Sequence, residues 1–406
     1  MTSAERVTDA EQVGLSAGRL QRIDDVFAAF IDRGVIAGAV TQVARNGLVA
    51  HCAAHGQMDV AAGRPMTTDT IFRLASMTKP IISVAILMLL EEGKILLSEP
   101  VSNFVPAFKT LRVAEPAADG GYELVPAHRE ISIRDLLTHT GGFGSATVGP
   151  GAAAHAALQE GPAGRTLEEL VPRMVEFPLS FQPGTAWEYS PGFAFDTLGR
   201  VVEIVSGLRL DQFLKERLFE PLGMRDTSFS QPAEKLSRMA TVYERGESRL
   251  RPATVLPALN LSTNADNGYF SGGGGLAGTA ADYSRFGLML VGGGQLDGER
   301  VLSRKAVELM ASNHVGQLPF DPQVTDMRGY RFGLGVRVLD APAEASSLCS
   351  RGTFGWGGAF GTNCWIDPAE DMVGLMLIQR NHDRTDDVLR SLWPRFQATV
   401  YQAIED

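Results

Sequence analysis

Phe72-Arg73-Leu74-Ala75-Ser76-Met77-Thr78-Lys79-Pro80 leads directly into a segment, Ile81 to Leu90, in which only Ser83 is not apolar. A segment that is apolar on all sides is typical of a buried helix, and this one is too short to span a membrane. Pro80 has no amide N–H, and only the first four N–H groups of a helix lack an intrahelical partner. The helix is therefore predicted to begin close to Ser76.

This position gives Ser76 a chemical role. Backbone N–H groups at a helix N-terminus can point at an anion, and Lys79 lies on the same face one turn later. A serine hydroxyl needs a neighbour to take its proton, and burial favours the neutral form of a lysine, which can act as that base. Alternatively, Ser76 only caps the helix and Lys79 reaches solvent. Ser-x-x-Lys occurs once among six lysines, and the pattern alone leaves both interpretations open.

A second candidate lies in Tyr189-Ser190-Pro191. This segment follows the turn signal Pro183-Gly184 and precedes a helical pattern that begins at Phe193. Tyr189 could share a proton with Ser76 and Lys79, or it could simply pack against neighbouring helices. The segment by itself favours packing.

A third candidate is the glycine-rich run from Arg351 to Ala359. Glycines weaken a strand and often mark the close approach of a ligand or of another backbone. An edge strand at this point could offer an N–H group to an oxyanion. Equally, Gly357-Gly358 could form only a bulge or a turn.

Two motif matches are rejected. Gly14-Leu15-Ser16-Ala17-Gly18 matches a nucleophile elbow, but no strand precedes it, so Ser16 is predicted to be a helix N-cap. Gly273-x-Gly275-x-x-Gly278 matches a dinucleotide fingerprint, but it lacks the βαβ context and the ribose-binding acid.

His139 is a candidate general base in Leu136 to Gly142. The favoured interpretation is that it ends a short helix, with Gly141 or Gly142 in the left-handed region. The seven histidines show no metal-ligand spacing, so we expect no metal and no cofactor.

Hydrophobic periodicity indicates an α/β (α+β) architecture. Leu20 to Ile31 has helical spacing and ends before Gly34, and Asn46-Gly47 joins two apolar runs as a hairpin turn would. Further predicted elements are strands over 332–339, 352–356, 362–366 and 373–379, helices over 193–206 and 210–218, a capping box from Thr166 to Glu169, a surface loop over 149–157, and a closing helix over 383–404 with a kink at Pro394.

The predicted domain organisation follows from these elements. Residues 1–75 and 311–406 form an α/β lobe, and residues 76–310 form a mostly helical lobe inserted into it. Clefts between lobes are common ligand sites, so the active site is expected there. Loops near 110–160 and 230–270 are expected to line the pocket.

Composition limits the classes of partner. The chain has 406 residues and a formal net charge of −10, which excludes the basic surface of a nucleic-acid binder. Its three cysteines match no metal or disulfide pattern, and residues 1–13 contain no apolar core of a signal peptide. A cytoplasmic protein acting on a small molecule, without nucleic-acid or membrane partners, is expected. The oligomeric state is not predicted.

Taken together, these motifs resemble the serine β-lactamase and penicillin-binding-protein superfamily, in particular class C β-lactamases and family VIII carboxylesterases. The resemblance covers nearly the whole chain. It rests on the Ser76 and Tyr189 motifs, Leu136 to Gly142, Pro221-Leu222-Gly223-Met224, Ser271 to Gly278, and Trp356-Gly357-Gly358.

The resemblance implies a class C β-lactamase-like fold with an antiparallel sheet, terminal helices and a helical lobe. It also implies roles for individual residues. Ser76 would be the nucleophile, and Lys79 and Tyr189 would handle its proton. The N–H groups of Ser76 and Ala359 would form the oxyanion hole, and Trp356, Gly357 and Gly358 would contact the substrate.

Two departures from class C β-lactamases point to esters. Pro191 stands where they carry the Asn of Tyr-x-Asn, and Trp356 stands where they carry the Lys of Lys-Thr-Gly. Trp356 offers an apolar surface instead of a cation for a β-lactam carboxylate. The expectation is therefore a carboxylesterase for short-chain or aryl esters. An acyltransferase, an amide or β-lactam hydrolase of the same fold, and a non-catalytic binding or scaffold protein remain alternatives.

Overall fold

The computed structural model of the chain describes residues 7–118, 120–144, 165–247, 249–254, 268–320, 327–381 and 386–406. In chain order, the strands are β1 (Gly38–Arg45), β2 (Leu48–Asp59), β3 (Arg64–Pro65), β4 (Phe72–Arg73), β5 (Arg112–Pro116), β6 (Tyr122–Pro126), β7 (Tyr243–Arg245), β8 (Leu250–Pro252), β9 (Ala277–Gly278), β10 (Gln295–Leu296), β11 (Glu299–Arg300), β12 (Tyr330–Phe332), β13 (Arg337–Leu339), β14 (Phe354–Gly357), β15 (Asn363–Asp367) and β16 (Met372–Leu377).

The α-helices within the same described ranges are α1 (Ala17–Leu20), α2 (Arg22–Asp32), α3 (Thr78–Glu91), α4 (Ile133–Leu137), α5 (Leu167–Leu170), α6 (Phe193–Ser206), α7 (Leu210–Leu214), α8 (Ala280–Val291), α9 (Arg304–Met310), α10 (Pro342–Ala345), α11 (Asp387–Arg390) and α12 (Leu392–Tyr401). Short 3₁₀ turns form at Ala10–Val13, Ala75–Met77, Val101–Asn103, Pro106–Lys109, Val171–Glu176 and Ala233–Arg238, and a π turn follows α7 at Lys215–Phe219.

Both parts of the chain that were expected to form a sheet contribute to one antiparallel sheet. Its strand order is β12-β13-β14-β15-β16-β1-β2-β3. The N-terminal hairpin joins the C-terminal strands because β1 pairs with β16, with Val43 opposite Gly374. The predicted hairpin turn is confirmed, since Asn46 and Gly47 have φ angles of 53° and 76°.

Helices cover both faces of this sheet. One face packs against α1, α2 and α12, in a cluster that includes Phe27, Trp365 and Phe396. The other face belongs to a larger core that includes Val40, Ile82 and Phe195. The mixed α/β fold with a large antiparallel sheet and terminal helices is therefore confirmed.

Several local predictions are confirmed in detail. Helix α2 ends at Asp32 and Gly34 follows with a φ of 65°; α6 has the predicted bounds, and Thr166 and Glu169 form the reciprocal capping box of α5. Ser16 is the N-cap residue of α1, although its side chain makes no capping hydrogen bond. The cysteines Cys52, Cys349 and Cys364 are free thiols.

Three predicted elements need correction. The single strand over 332–339 is instead the hairpin β12–β13, because Gly333 and Gly335 allow a tight turn in which the Gly333 N–H bonds to the Val336 carbonyl. The closing helix breaks at Ser391, since Pro394 has no N–H and its ring would clash with the carbonyl four residues earlier. The predicted start of that helix at 383 lies outside the described residues, as does the loop over 149–157.

The inserted segment is less uniformly helical than its pattern suggested. It contains the hairpins β5–β6, β7–β8 and β10–β11, whose strands are too short for a reliable periodic signal. Helix α8, which lies in the range assigned to the helical lobe, packs on β1, β15 and β16. Gly287 allows this approach, because a Cβ there would collide with Val373. The exact lobe boundaries stay a prediction.

Candidate active site

Ser76 stands at the junction between a buried turn and a buried helix. It occupies the middle of the 3₁₀ turn Ala75–Met77, which runs straight into α3. Ala75 has a φ of 48°, a left-handed conformation that is unfavourable for a side-chain-bearing residue. Such strain is typical of positions where the backbone turns sharply to present a functional group. Ser76 is partly exposed while its neighbours are buried, so it is the point of access to this turn.

Residues far away in the chain also contact the start of α3. The Tyr283 hydroxyl donates to the Met77 carbonyl at 2.9 Å, and the Leu276 N–H donates to Thr78 Oγ1 at 3.2 Å. The predicted helix start near Ser76 is confirmed. Every residue from Thr78 to Leu89 is buried, as the apolar run indicated.

Lys79 is fully buried, and its Nζ lies within hydrogen-bonding distance of three oxygens. Its Nζ lies 2.7 Å from the Pro191 carbonyl, 2.7 Å from the Gly273 carbonyl and 3.2 Å from Ser76 Oγ. The two carbonyls can only accept, so they use two of its N–H bonds. The third position, toward Ser76 Oγ, can hold either an N–H or the lone pair of a neutral amine. Lys79 can therefore pass a proton to or from Ser76, and it does not reach solvent.

Tyr189 lies in a distant segment of the chain and contacts Ser76. Its hydroxyl donates to Ser76 Oγ at 2.7 Å, and Lys79 Nζ lies 5.0 Å from the centroid of its ring. The interpretation of Tyr189 as a packing residue only is wrong, because its hydroxyl is hydrogen-bonded to the candidate nucleophile. Two side chains, Lys79 from the same segment and Tyr189 from a distant one, thus lie within hydrogen-bonding distance of Ser76 Oγ.

Pro191 has a role that its side chain does not reveal. The backbone carbonyl of Pro191 accepts a hydrogen bond from Lys79. A backbone carbonyl exists at every residue, so this substitution keeps an acceptor for Lys79 without an amide side chain. The departure from Tyr-x-Asn therefore removes a side chain from the site but leaves the lysine held.

His139 lies behind Tyr189 and faces no open space. Its ring centroid is 4.8 Å from that of Tyr189, its Nδ1 accepts the Ser190 N–H at 3.2 Å, and it is buried. Burial, and then the positive charge of Lys79, hold the pKa of His139 well below its ordinary value. A neutral His139 in this place fixes the backbone after Tyr189. The prediction of a left-handed residue after the helix is confirmed at Gly142 (φ 90°), and His139 itself also takes the left-handed conformation (φ 58°).

The strand β14 borders the Ser76 turn, but it is not an edge strand as a whole. It lies between β13 and β15 in the sheet. Pairing with β13 ends at Gly355, so Trp356 and Gly357 pair only with β15. The predicted free edge therefore exists only over the last residues of the strand, because β13 is short.

Gly358 and Ala359 follow β14 beside the nucleophile. A Cβ on Gly358 would collide with the Leu74 carbonyl oxygen, and Thr362 Oγ1 donates to that same oxygen at 3.1 Å. The close approach of the two backbones explains the glycine. Ala359 is exposed next to this contact. Its role as the second oxyanion donor stays a prediction.

Trp356 belongs to a buried group of rings that we call the aromatic cluster, which consists of Trp187, Tyr189, Phe332 and Trp356. Trp356 is only 8% exposed, and its ring centroid lies 5.5 Å from that of Tyr189. The sequence pictured Trp356 as an open surface for the substrate. The structure shows that its ring is largely covered, because the rings of Tyr189 and Phe332 pack against it.

The sequence missed a polar residue next to this site. Asp196, in the first turn of α6, is buried and contacts the loop that holds Gly273. The sequence marks Asp196 only as the single acid in Phe193 to Leu198, where Thr197 is the one other polar residue, and it does not show what this acid contacts. The rejected fingerprint Gly273-x-Gly275-x-x-Gly278 also belongs here, as a loop that supplies a carbonyl to Lys79.

The described residues contain no group of three or more His, Cys, Asp or Glu side chains that could hold a metal ion. None of the helices in the described ranges is long and apolar enough to cross a membrane. The expected pocket loops fall partly in 145–164 and 255–267, which lie outside the described residues.

Comparison with known proteins identifies the family. A model of the beta-lactamase family matches residues 23–395. The chain belongs to the beta-lactamase family. An uncharacterised protein of Mycobacterium tuberculosis is 35% identical to this beta-lactamase family chain over 400 residues, covering 92% of this chain and 96% of that protein. Esterase EstB of Burkholderia gladioli is 33% identical over 395 residues, covering 93% and 94%.

Among solved structures, the chain is similar to EstCE1, described as a hydrolase with promiscuous acyltransferase activity. The TM-score is 0.79 at 28% sequence identity, and the match covers 95% of this chain and 99% of that one. The similar proteins thus include ester hydrolases of the beta-lactamase fold. The resemblance inferred from the motifs is confirmed.

Proposed function

We propose that this chain is a serine carboxylesterase that hydrolyses short-chain or aryl carboxylic esters through an acyl-enzyme on Ser76. The observation that carries the proposal is the convergence of Tyr189 Oη and Lys79 Nζ on Ser76 Oγ, at 2.7 and 3.2 Å. A nucleophile held between two groups that can move its proton is the arrangement that acyl transfer requires.

In the acylation step, Ser76 Oγ attacks the ester carbonyl carbon while its proton passes to Tyr189 and Lys79. The carbonyl oxygen becomes an oxyanion, for which the N–H groups of Ser76 and Ala359 are the proposed donors. The bond from carbon to the alcohol oxygen then breaks. The alcohol leaves with the proton, and the acyl group remains as an ester on Ser76.

In the deacylation step, water attacks the acyl carbon and gives a proton to the same pair of side chains. The bond from carbon to Ser76 Oγ breaks, the carboxylic acid leaves, and the proton returns to Oγ. The carbonyls of Pro191 and Gly273 keep Lys79 Nζ in place through both steps. Each of the two steps breaks one bond from the carbonyl carbon to oxygen, forms another, and moves one proton, so no cofactor is required.

The preference for neutral esters rests on Trp356. Class C β-lactamases, which the motifs resemble, carry a Lys at that position, whose charge would pair with a β-lactam carboxylate. A buried indole offers no charge, and burying an unpaired carboxylate against it would be costly. An aryl or short alkyl ester carries no such charge. The esterase EstB, among the similar proteins, agrees with this preference.

The experiment is hydrolysis of p-nitrophenyl acetate and p-nitrophenyl butyrate by the unaltered protein and by Ser76→Ala. We expect Ser76→Ala to lower kcat by at least about 10³-fold, as loss of a catalytic serine does in other hydrolases. Equal rates in the two proteins would exclude the proposal. Labelling by a fluorophosphonate should place one adduct on Ser76, and an unlabelled Ser76 would favour a binding or scaffold protein.

Acyl transfer is a second candidate function, because EstCE1 is described as a hydrolase with promiscuous acyltransferase activity. The acyl-enzyme is the same, and only the acceptor differs. Product analysis with added alcohols or amines separates the two, since water as the sole acceptor excludes transfer. A chromogenic cephalosporin in the same panel measures β-lactam hydrolysis. The cytoplasmic location stays a prediction.

A further inference from the structure

The loop Ser271–Gly275, which we call the lysine-acceptor loop, holds the Gly273 carbonyl that accepts from Lys79. A single carboxylate holds this loop. Asp196 Oδ1 accepts the Ser271 hydroxyl at 2.8 Å and the Gly273 N–H at 3.0 Å, and its other oxygen accepts the Tyr269 hydroxyl. The two ends of the Gly273 residue are thus used at once, its N–H by Asp196 and its carbonyl by Lys79.

The lysine-acceptor loop has no room to move relative to the start of α6. A Cβ on Gly272 would collide with the Phe195 carbonyl, and a Cβ on Gly273 would lie 2.8 Å from the Pro191 carbonyl oxygen. The two carbonyls that accept from Lys79 therefore belong to backbones in direct contact. Asp196 lies in α6, into which the Pro191 backbone leads, and its carboxylate accepts the N–H of Gly273 in the other backbone.

We propose that Asp196 is a positioning residue for catalysis: it fixes the Gly273 carbonyl against Lys79 and supplies buried negative charge beside the groups that move the proton of Ser76. This inference rests on the proposed function, because it assumes that the proton of Ser76 passes through Lys79. It adds a residue that touches neither the substrate nor Ser76.

The charges around these groups support the assignment. Asp196 interacts electrostatically with Lys79, and the other titratable groups that face Lys79 are Tyr189 and His139. His139 is held neutral by burial, so it does not oppose the effect. The pKa of Asp196 is raised overall, because burial raises it by more than the donors Tyr269, Gly273 and Ser271 and the charge of Lys79 lower it.

An Asn at this position would keep the contacts and remove the charge. Its carbonyl oxygen can accept from Ser271 and from the Gly273 N–H, and its NH₂ can donate to the Tyr269 oxygen after that hydroxyl rotates. Asp196→Asn therefore separates the charge from the architecture. The matched control is Asp367→Asn, a second buried aspartate that accepts a tyrosine hydroxyl and backbone N–H groups but contacts no residue of the site.

The experiment measures two pH profiles for the full-length unaltered protein, Asp196→Asn and Asp367→Asn. One is kcat/KM on p-nitrophenyl butyrate, and the other is the rate of fluorophosphonate labelling of Ser76, which does not depend on the natural ester. In Asp196→Asn we expect one limb of both profiles to move to lower pH by about one unit, because a buried negative charge beside the proton-transfer groups is lost. Asp367→Asn should leave both profiles in place.

A limb that stays in place in a folded Asp196→Asn protein overturns the inference, and so does an equal shift in Asp367→Asn. If Asp196→Asn does not fold, Tyr269→Phe takes its place. Loss of that donor raises the pKa of Asp196, so the same limb should move in the same direction by a smaller amount, and an unmoved limb again overturns the inference. Inactivity of the unaltered protein, with no labelling of Ser76, contradicts the proposed function instead.

Discussion

Two buried aspartates on opposite faces of the sheet are built alike and serve different ends. Asp196 accepts the hydroxyl of Tyr269 and a backbone N–H, and Asp367 accepts the hydroxyl of Tyr401 at 2.6 Å and the Ser350 N–H at 2.9 Å. Both satisfy a buried carboxylate with several donors, as its burial requires.

The difference lies in what each carboxylate holds. Asp196 holds the lysine-acceptor loop, whose next bond leads to Lys79. Asp367 holds the turn after β15 and the helix α12, and none of its partners in the described chain touches Ser76. Hydrogen bonding by itself therefore does not distinguish a structural carboxylate from a functional one. The two carboxylates differ in what their hydrogen-bond partners contact next: Gly273, a partner of Asp196, accepts a hydrogen bond from Lys79.

Removal of each carboxylate should show the difference between the two aspartates most clearly. Asp196→Ala and Asp367→Ala each leave several buried donors without an acceptor, so each should lower the free energy of unfolding by about 2–4 kcal/mol. Only Asp196→Ala should also lower kcat, by about 10²-fold, because the Gly273 carbonyl is no longer fixed. Urea unfolding and kcat per labelled Ser76 measure the two effects. An equal loss of kcat in Asp367→Ala would remove the distinction.

Acid should next test the face of the sheet that packs against α1, α2 and α12. On this face, His51 Nε2 and His55 Nε2 both hydrogen-bond Thr41 Oγ1. Burial lowers the pKa of His51 to about 4. A His whose pKa is lower in the folded state binds its proton more tightly when unfolded. The stabilisation is thus complete above a pH of about 6.5 and decreases as the pH falls toward about 4, by up to ~3 kcal/mol.

The measurement is the free energy of unfolding from a pH of about 7.5 to about 4.5, for the unaltered protein and for His51→Gln. Gln has no proton to gain, so His51→Gln should lose about 2–3 kcal/mol less over this range. His55 and His139 titrate in both proteins and cancel in the comparison. Parallel curves for the two proteins would show that His51 does not contribute.

The smallest expected effect comes from the tyrosines that donate to the two carboxylates, Tyr269 and Tyr401. Tyr269→Phe and Tyr401→Phe each remove one hydroxyl donor from a buried carboxylate, which should cost about 1–2 kcal/mol of stability. Tyr401 also accepts the Trp365 indole N–H at 3.1 Å, so its loss should be the larger of the two. Thermal unfolding measures both, and only Tyr269→Phe should alter the pH profile of kcat/KM. A shift in Tyr401→Phe would contradict the separation.

Much of the fold was predictable from short-range patterns. The hairpin at Asn46-Gly47, the bounds of α6 and the start of α3 depend on residues adjacent in sequence, where turn chemistry and hydrophobic periodicity operate. The hairpin β12–β13 was missed because a turn of Gly-Leu-Gly between two apolar runs has the same composition as a glycine-weakened strand.

The site was predictable only in part, for a related reason. Ser76 and Lys79 lie three residues apart, so a local pattern could pair them, and the family resemblance added Tyr189. Asp196 and the Gly273 carbonyl could not be found in this way. Their contacts join residues that are 77 and 194 positions apart in the chain, and a backbone carbonyl carries no signature in the sequence.

The pairing of β1 with β16 has a consequence for the order of folding. Val40 meets Leu377 across the sheet, so the strand made first waits for a strand made more than three hundred residues later. Contacts this distant in sequence are slow to form, and a chain emerging from the ribosome can complete them only after β16 has been made. The strand beside the nucleophile, β14, joins this same late sheet. Until β16 is available, the edge of β1 that faces it has no strand partner, and an unpaired strand edge is open to aggregation.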